Sequence, residues 1–314
     1  MLAYILKRIA YAVPISIGVS VLCFSLVQLA PGDPLTLVIS TDASQEAIDA
    51  AKQRYGLDQP LPVQYFIWLK NAVAGDLGQS IASGRPVAAE IGNATVYSLS
   101  LAFIASVIAF VLGCGMGVIS GYTLGSMTDK LVSAIAISGV SIPHYWLGIV
   151  LVVLFSVNLN LLPAMGAGNS DEMDLWQRLR FMVLPAITLA AMPTGIITRS
   201  VRALVAEKLS EDFVTALAAK GLTRTQIFFH IVKNAAPTAL AIVGVQMGYL
   251  MAGSILVETV FSWPGTGLLL NNAILNRDIP LLQGTILVLA LFFVVLNLVV
   301  DIVHPLFDPR IKRA

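Results

Sequence analysis

Six stretches of this chain carry no Asp, Glu, Lys or Arg and stay apolar for most of their length. They are Ile9 to Ala30, Ile91 to Thr128, Leu131 to Ser170, Phe181 to Thr198, Asn234 to Val257 and Ile279 to Val300. A helix rising about 1.5 Å per residue needs ~20 apolar residues to cross ~30 Å of hydrocarbon. Trimmed of their polar ends, the stretches predict membrane-spanning helices over 9–29, 97–121, 133–157, 181–200, 238–258 and 283–304. A seventh charge-free stretch, Thr259 to Asn276, is not a span by this reading. Ser262, Trp263, Pro264, Gly265, Thr266 and Gly267 interrupt any helix, and Asn271 and Asn272 are costly in lipid. It reads as a loop followed by a short helix at the membrane interface. Lys7 and Arg8 precede the first run as they would in a signal peptide. That run is too long for one, and Gln28 stands where cleavage needs a small side chain, so the segment is expected to remain as an anchor.

Composition supports a lipid solvent. Of 314 residues 57% are hydrophobic and 12% charged, against about 25% charged in soluble domains. A net charge of +1 offers no basic field for nucleic acid. Cys23 and Cys114 lie inside apolar runs and read as small buried hydrophobes, with neither a metal nor a disulfide role.

Charge distribution sets the expected orientation. With the N-terminus inside, Lys7, Arg8, Lys130, Arg199, Arg202, Lys208, Lys220, Arg224, Lys233, Arg310, Lys312 and Arg313 share the cytoplasmic side. Lys52, Arg54, Lys70, Arg85, Arg178, Arg180 and Arg277 fall outside, four of them in one long loop where the positive-inside rule is weak. Both termini are therefore expected in the cytoplasm. The domain plan is an N-terminal anchor helix (1–29), an external domain (30–95), a membrane core (96–305) and a cytoplasmic tail (306–314). Helix signals from Ser44 onward and punctuation at Gly56, Pro60, Pro62, Gly75 and Gly78 suggest that the external segment folds.

The only substantial cytoplasmic loop, about 201–237, has the pattern of a helical hairpin. Ser210 is placed to cap a helix that opens with Glu211 and Asp212 and meets a left-handed stop at Gly221. Thr223 and Gln226 form a capping box for a second helix, Arg224 to about Asn234, before Pro237. Ala216 and Ala219 give the first helix a small-residue face, and Phe228 and Phe229 give the second a bulky one. Such a face lets a partner's backbone come close; the same pattern also suits a connector packed under the bundle.

The stretch Asp212-Phe-Val-Thr-Ala-Leu-Ala-Ala-Lys-Gly221, with His230-Ile-Val-Lys-Asn234-Ala-Ala-Pro237 after it, resembles the EAA loop of binding-protein-dependent ABC importer permeases. Further segments match the branch that carries dipeptides, oligopeptides, nickel and glutathione (DppB/OppB-type), and they occur in the expected order. They are Ala30-Pro-Gly-Asp-Pro34, Tyr55 to Tyr65, Gly75-Asp-Leu-Gly-Gln-Ser80, Ser141-Ile-Pro-His-Tyr-Trp-Leu-Gly148, Leu184-Pro-Ala-Ile-Thr188, Glu258 to Gly265 and Asp308-Pro-Arg310. Where the family pattern has Glu-Ala-Ala, this chain has Thr215-Ala216-Leu217.

The resemblance implies an all-α type I importer (MetI-like) permease in the bacterial inner membrane. It implies a second homologous permease, two ABC ATPase subunits that hold ATP and Mg, and an extracytoplasmic solute-binding protein. It also implies that Asp212, Ala216, Ala219, Gly221, His230, Asn234 and Pro237 form the ATPase-coupling loop. The chain itself is expected to hold no cofactor and to catalyse nothing, and it contains no G-x-x-x-x-G-K-[ST] phosphate loop. The expected cargo is a di- or oligopeptide, with a nickel chelate or glutathione as alternatives.

Other classes fare worse. A secondary transporter calls for ion-coupling carboxylates or broken helices near mid-membrane, ideally with an inverted repeat, and the spans have no mid-span charge. An intramembrane enzyme calls for clustered catalytic groups; H-E-x-x-H and G-x-S-x-G are absent, and His144, His230 and His304 are scattered. Ser138, Gly139, Ser141 and Pro143 interrupt the third span beside His144, which makes Ser141, Pro143 and His144 candidate translocation-path residues. Gly113, Gly117, Gly121 and Gly125 form a stripe expected to pack against another helix. Glu258 and Asp301, near span ends, are expected to be solvated at the interface, and Asn297 to bond a neighbouring helix.

Overall fold

The computed structural model describes residues 2–29, 59–168 and 174–307. The expected helix start at Ser44 and the motifs at Ala30–Pro34 and Asp308–Arg310 lie outside them, as does the side chain of Asp301. The described residues form helices and turns, with one isolated bridge between Gln79 and Pro86. The helices are α1 (Leu2–Leu29), α2 (Leu61–Val73), α3 (Val87–Tyr122), α4 (Met127–Ser141) and α5 (His144–Leu151). A π-helical stretch (Val152–Asn158) follows, then α6 (Leu175–Leu209), α7 (Asp212–Ala219), α8 (Arg224–Val260), α9 (Thr266–Leu275) and α10 (Ile279–Phe307).

Each of the six expected spans falls on helix. Among the described residues, four stretches are long and apolar enough to cross a membrane singly: Val87–Tyr122, Leu175–Leu209, Arg224–Gln246 and Ile279–Val299. The third expected span is broken rather than kinked, since Met127–Ser141 and His144–Asn158 meet at 106°. Pro143 supplies no N–H, and Ile142 and Pro143 are both extended (ψ 125 and 134), so the helix ends at Ser141 and restarts at His144. The rejected seventh stretch is a turn plus α9. Ser262 at φ 48 breaks α8, and the Trp263 N–H closes back on the Glu258 carbonyl at 2.8 Å.

The chain divides into two compact units. Of the described residues, one unit holds 98–168, 174–263 and 296–307; the other holds 2–29, 59–97 and 264–295. In the first, α6 packs against α4, α5 and α8. It also lies along the α3 glycine stripe. A Cβ on Gly113, Gly117 or Gly121 would sit within 2.7–2.8 Å of Ile197, Val201 or Val205, so the two helices touch where a side chain is missing. Gly125 does not extend this stripe. It lies past the end of α3 at φ +79, in the turn where its N–H donates to Asp129. In the second unit, Val87, Ile91, Ala273 and Leu281 form the core, flanked by Leu77, Leu269, Leu282 and Val288. The buried Asp278 carboxylate accepts from Ser80 Oγ (2.5 Å), Ala82 N–H (3.0 Å) and Leu281 N–H (3.2 Å), so it both caps α10 and ties the 76–86 loop to it.

Candidate functional site: the hairpin and the broken span

The hairpin is a continuation of two long helices. α6 runs nine residues past the expected span end at 200 and stops only at Leu209. Ser210 does not cap α7 as expected. It closes α6, where its hydroxyl donates to the Glu207 carbonyl at 2.7 Å, and Glu211 takes the N-cap position of α7 without a side-chain bond. Glu211 instead pairs with Lys208, which bridges the junction. α7 ends as the sequence implied. Gly221 sits at φ +82, and N–H groups of Lys220, Gly221 and Leu222 return to carbonyls of Ala216, Ala218 and Leu217.

The capping box at Thr223 and Gln226 is formed in both directions, at 3.4 and 2.9 Å. The second helix does not end near Asn234. α8 continues through Pro237 to Val260, so the hairpin and the following span are one rod. Its 37 residues make it about 55 Å long.

The candidate residues occupy distinct surfaces of this hairpin. On α7, Asp212, Ala216 and Ala219 are all exposed on one stripe, and Phe213, Val214 and Leu217 turn partly inward. On α8, His230 and Asn234 are exposed one turn apart, and Asn234 Nδ2 donates to the His230 carbonyl at 2.8 Å. Pro237 is half-buried within the helix. The two phenylalanines do not form one bulky face. Phe228 packs edge-on against Tyr122 at the end of α3, with ring centroids 5.6 Å apart, and Phe229 points outward, 65% exposed. Ile231, fully buried, and Ala235 anchor the same stretch.

A half-buried ion pair holds the base of the hairpin. Asp129 accepts from Arg202 Nε (2.6 Å) and Nη2 (2.9 Å), from Ser120 Oγ (2.6 Å) and from the Gly125 N–H (2.8 Å). One carboxylate thus joins the end of α3, the following turn and the first turn of α4 to α6, seven residues before α6 ends. Sequence reading missed it. Ser126 with Asp129 three residues later was a legible helix start, but nothing local pointed to Arg202, 73 positions away. Beside this pair, Ser133, Ile137, Ile196, Arg199, Ser200 and Arg202 line a cleft of about 560 Å³ between α4 and α6.

At the broken span, Ser141 and Pro143 are exposed and His144 is half-buried against α8. A Cβ on Gly253 would lie 3.6 Å from the imidazole. Gly139 and Gly195 bring α4 and α6 into backbone contact next to the break; a Cβ on Gly195 would clash with the Ala136 carbonyl. The structure brings Ser141, Pro143 and His144 together at the bend, well away in sequence from the hairpin residues.

Glu258 corrects the sequence reading. It is not at a solvated interface: it is fully buried in the last turn of α8, and Ser98 Oγ donates to it at 2.7 Å. A charge count along the chain reports only position near a span end, and here tertiary packing closes over it.

Two family models match end to end. Residues 110–313 match the binding-protein-dependent transport system inner membrane component, and residues 1–111 match the N-terminal region of such membrane components. The chain belongs to this transport family. Among curated relatives, it is 36% identical to a dipeptide transport system permease protein, DppB, of Alkalihalophilus pseudofirmus, over 99% of this chain and 100% of that one. It is 39% identical to the glutathione transport system permease protein GsiC of Escherichia coli K12, over 99% of both. Among solved structures, the MetNI methionine ABC transporter in inward-facing form superposes with a TM-score of 0.57 at 17% identity. That match covers 69% of this chain and 96% of that one, and it shows the MetI-like fold. The molecule is therefore a membrane-embedded permease subunit of the DppB/OppB type.

Proposed function

We propose that this permease conducts short peptides inward across the bacterial cytoplasmic membrane, with both of its termini on the cytoplasmic side. The carrying observation is the likeness, at 36% and 39% identity over 99% of the chain, to two permeases whose named cargos, dipeptide and glutathione, are both small peptides. In this reading a solute-binding protein delivers the cargo and a second, homologous permease completes the path. Two ATPase subunits, holding ATP and Mg, supply the energy, and this chain performs no hydrolysis.

The hairpin is the element suited to receive their motion. α7 exposes Asp212, Ala216 and Ala219 at a tip whose two legs, α6 and α8, run directly into the bundle. A push on α7 is then carried along two stiff rods, and the Asp129–Arg202 pair transfers it from α6 to α4 just ahead of the broken span. His144, Ser141 and Pro143 lie at that break and are the proposed path residues.

The test is reconstitution of the chain with its genomic-neighbour permease, ATPases and binding protein in liposomes. ATP-dependent uptake of a labelled dipeptide, competed by other short peptides, supports the reading. Uptake without ATP by the chain alone overturns the importer mechanism. ATP-driven uptake of a nickel chelate, with no uptake of dipeptides or glutathione, overturns the cargo.

A further inference from the structure

The sequence assigns residues 30–95 to an external domain, yet α2 within it has the chemistry of a membrane-inserted helix. Its side toward α1 carries Gln64, Tyr65, Trp68, Leu69 and Ala72, all partly covered. Its opposite side carries Val63, Phe66, Ile67 and Val73, with Phe66 66% and Val73 83% exposed, and Lys70 is the only charge in 13 residues. A helix lying in water would turn polar residues outward. This one is mostly apolar on the side that no other described residue covers, with Lys70 and Asn71 the exposed polar side chains among its residues.

Its depth follows from what it touches. Tyr65 Oη and Ser20 Oγ share a hydrogen bond at 2.8 Å, and the Phe24 ring meets Tyr65 and Trp68 with centroids 5.6 and 5.9 Å apart. Phe24 lies five residues and Ser20 nine residues inside the Leu29 end of α1, or about 7 and 13 Å at helical rise. Those depths fall within one leaflet of a ~30 Å hydrocarbon layer. Under α2 the α1 surface is closed, with Ser20, Cys23 and Phe24 buried; elsewhere α1 exposes Tyr11, Val13, Ile15, Ile17 and Leu22, as a lipid-facing span does.

The helix ends leave few backbone groups unpaired. Of the first four backbone donors that a helix leaves unpaired, Pro62 has none, and Val63 and Gln64 both donate to the Pro60 carbonyl, at 2.8 and 3.1 Å. Gln64 Nε2 donates to the Gln59 carbonyl at 2.8 Å. At the other end, N–H groups of Ala74, Gly75 and Asp76 return to carbonyls of Lys70, Ala72 and Asn71. Backbone groups satisfied internally are what hydrocarbon demands.

We infer that α2 is a re-entrant helix seated in the membrane leaflet at the Leu29 end of α1, with Val63, Phe66 and Ile67 against lipid acyl chains. Lys70 and the 74–86 loop mark where the chain climbs back to the headgroups. The lipid surface of α1 and that of α2 are then continuous, which names the bilayer as the occupant of this face rather than a protein. The inference rests on the membrane assignment of α1 and is independent of the cargo.

The test is site-directed spin labelling of the assembled transporter in lipid nanodiscs, in a background with Cys23 and Cys114 replaced by alanine. Labels at Phe66→Cys and Ile67→Cys are compared by power saturation against oxygen and a water-soluble nickel chelate. Leu22→Cys on α1 is the lipid benchmark and Arg85→Cys in the loop is the water benchmark. The expected result is an oxygen-favoured response at 66 and 67 within about two-fold of that at 22, unchanged by the binding protein. A water-like response at both sites overturns the inference. So does a label closed to both reagents, or one protected only when the binding protein is added, since either result assigns the face to a protein partner.

Discussion

Replacing Gly117 by alanine tests whether α3 and α6 are held by direct backbone approach. The new Cβ would stand 2.7 Å from Val201 Cβ and 2.8 Å from the Thr198 carbonyl oxygen, against the 3.4 Å at which ordinary contact begins. One obstacle is backbone and the other is a Cβ, so no rotamer change relieves them, and α6 must retreat by about 0.7 Å. If on the order of 40 atom pairs cross this stripe at about 0.15 kcal/mol each, losing a third of that attraction costs about 2 kcal/mol. Overpacked sites in general lose ~1–3 kcal/mol. Alanine is also the better helix former, by about 1 kcal/mol, and that gain must be removed from the comparison.

Gly115, two positions earlier on the same helix, has nothing within 4 Å of its would-be Cβ. Gly115→Ala collects the propensity gain without the clash, so the two variants should differ by about 2 kcal/mol. The assay is denaturant titration of the purified chain in mixed micelles, followed by tryptophan fluorescence. A difference below about 0.5 kcal/mol, or a Gly117→Ala protein more stable than its partner variant, would refute close packing as the role of the stripe.

Three further outcomes are expected. Gly221→Val forces a β-branched residue to φ +82, at a cost of about 1–2 kcal/mol or more; ATPase co-purification and ATP-dependent uptake should both fall, and Gly221→Asn should retain most of each. Since a Cβ at Gly221 meets nothing, normal uptake by the valine variant would show that the turn geometry is dispensable. Ser98→Ala removes a donor from the buried Glu258 carboxylate and should destabilise the chain by about 1–3 kcal/mol in the same titration; an unchanged midpoint would mean that this bond adds nothing. Arg202→Lys keeps the charge but loses the two-pronged fit to Asp129, so it should lower the thermal midpoint clearly, and Arg199→Lys, beside the same cleft, should not. Equal midpoints for the two lysine variants would remove the pair from the account.

Much of the fold could be read locally. Gly221, the Thr223–Gln226 box and the Pro143 break are short-range devices, written within a few residues, and the structure forms each of them. Helix ends were harder. Ser210 and Asn234 looked like boundaries because caps and prolines suggest them. α8 runs on through Asn234 and Pro237 with Ile231 and Ala235 buried on its inner face, whereas Ser210 is a boundary, but of α6 and not of α7. The hairpin's candidate face was legible for the same reason as its turn: Asp212, Ala216 and Ala219 lie at helical spacing, and the face stays exposed.

The linear pattern of residues is enough to specify the solvent, the number of apolar runs, the hairpin's turn chemistry and the family. Each of these follows from composition or from residues a few positions apart. It takes the packed helices to show that Asp129 belongs to Arg202, that Glu258 is buried on Ser98, and that α2 leans its aromatic side on α1. These are pairings across 73, 160 and 45 positions, set by which helix faces meet. Periodicity gives each helix its faces but says nothing of their partners, because in lipid the helices gain little from hydrophobicity when they associate. Close contact and hydrogen bonding choose the partner instead.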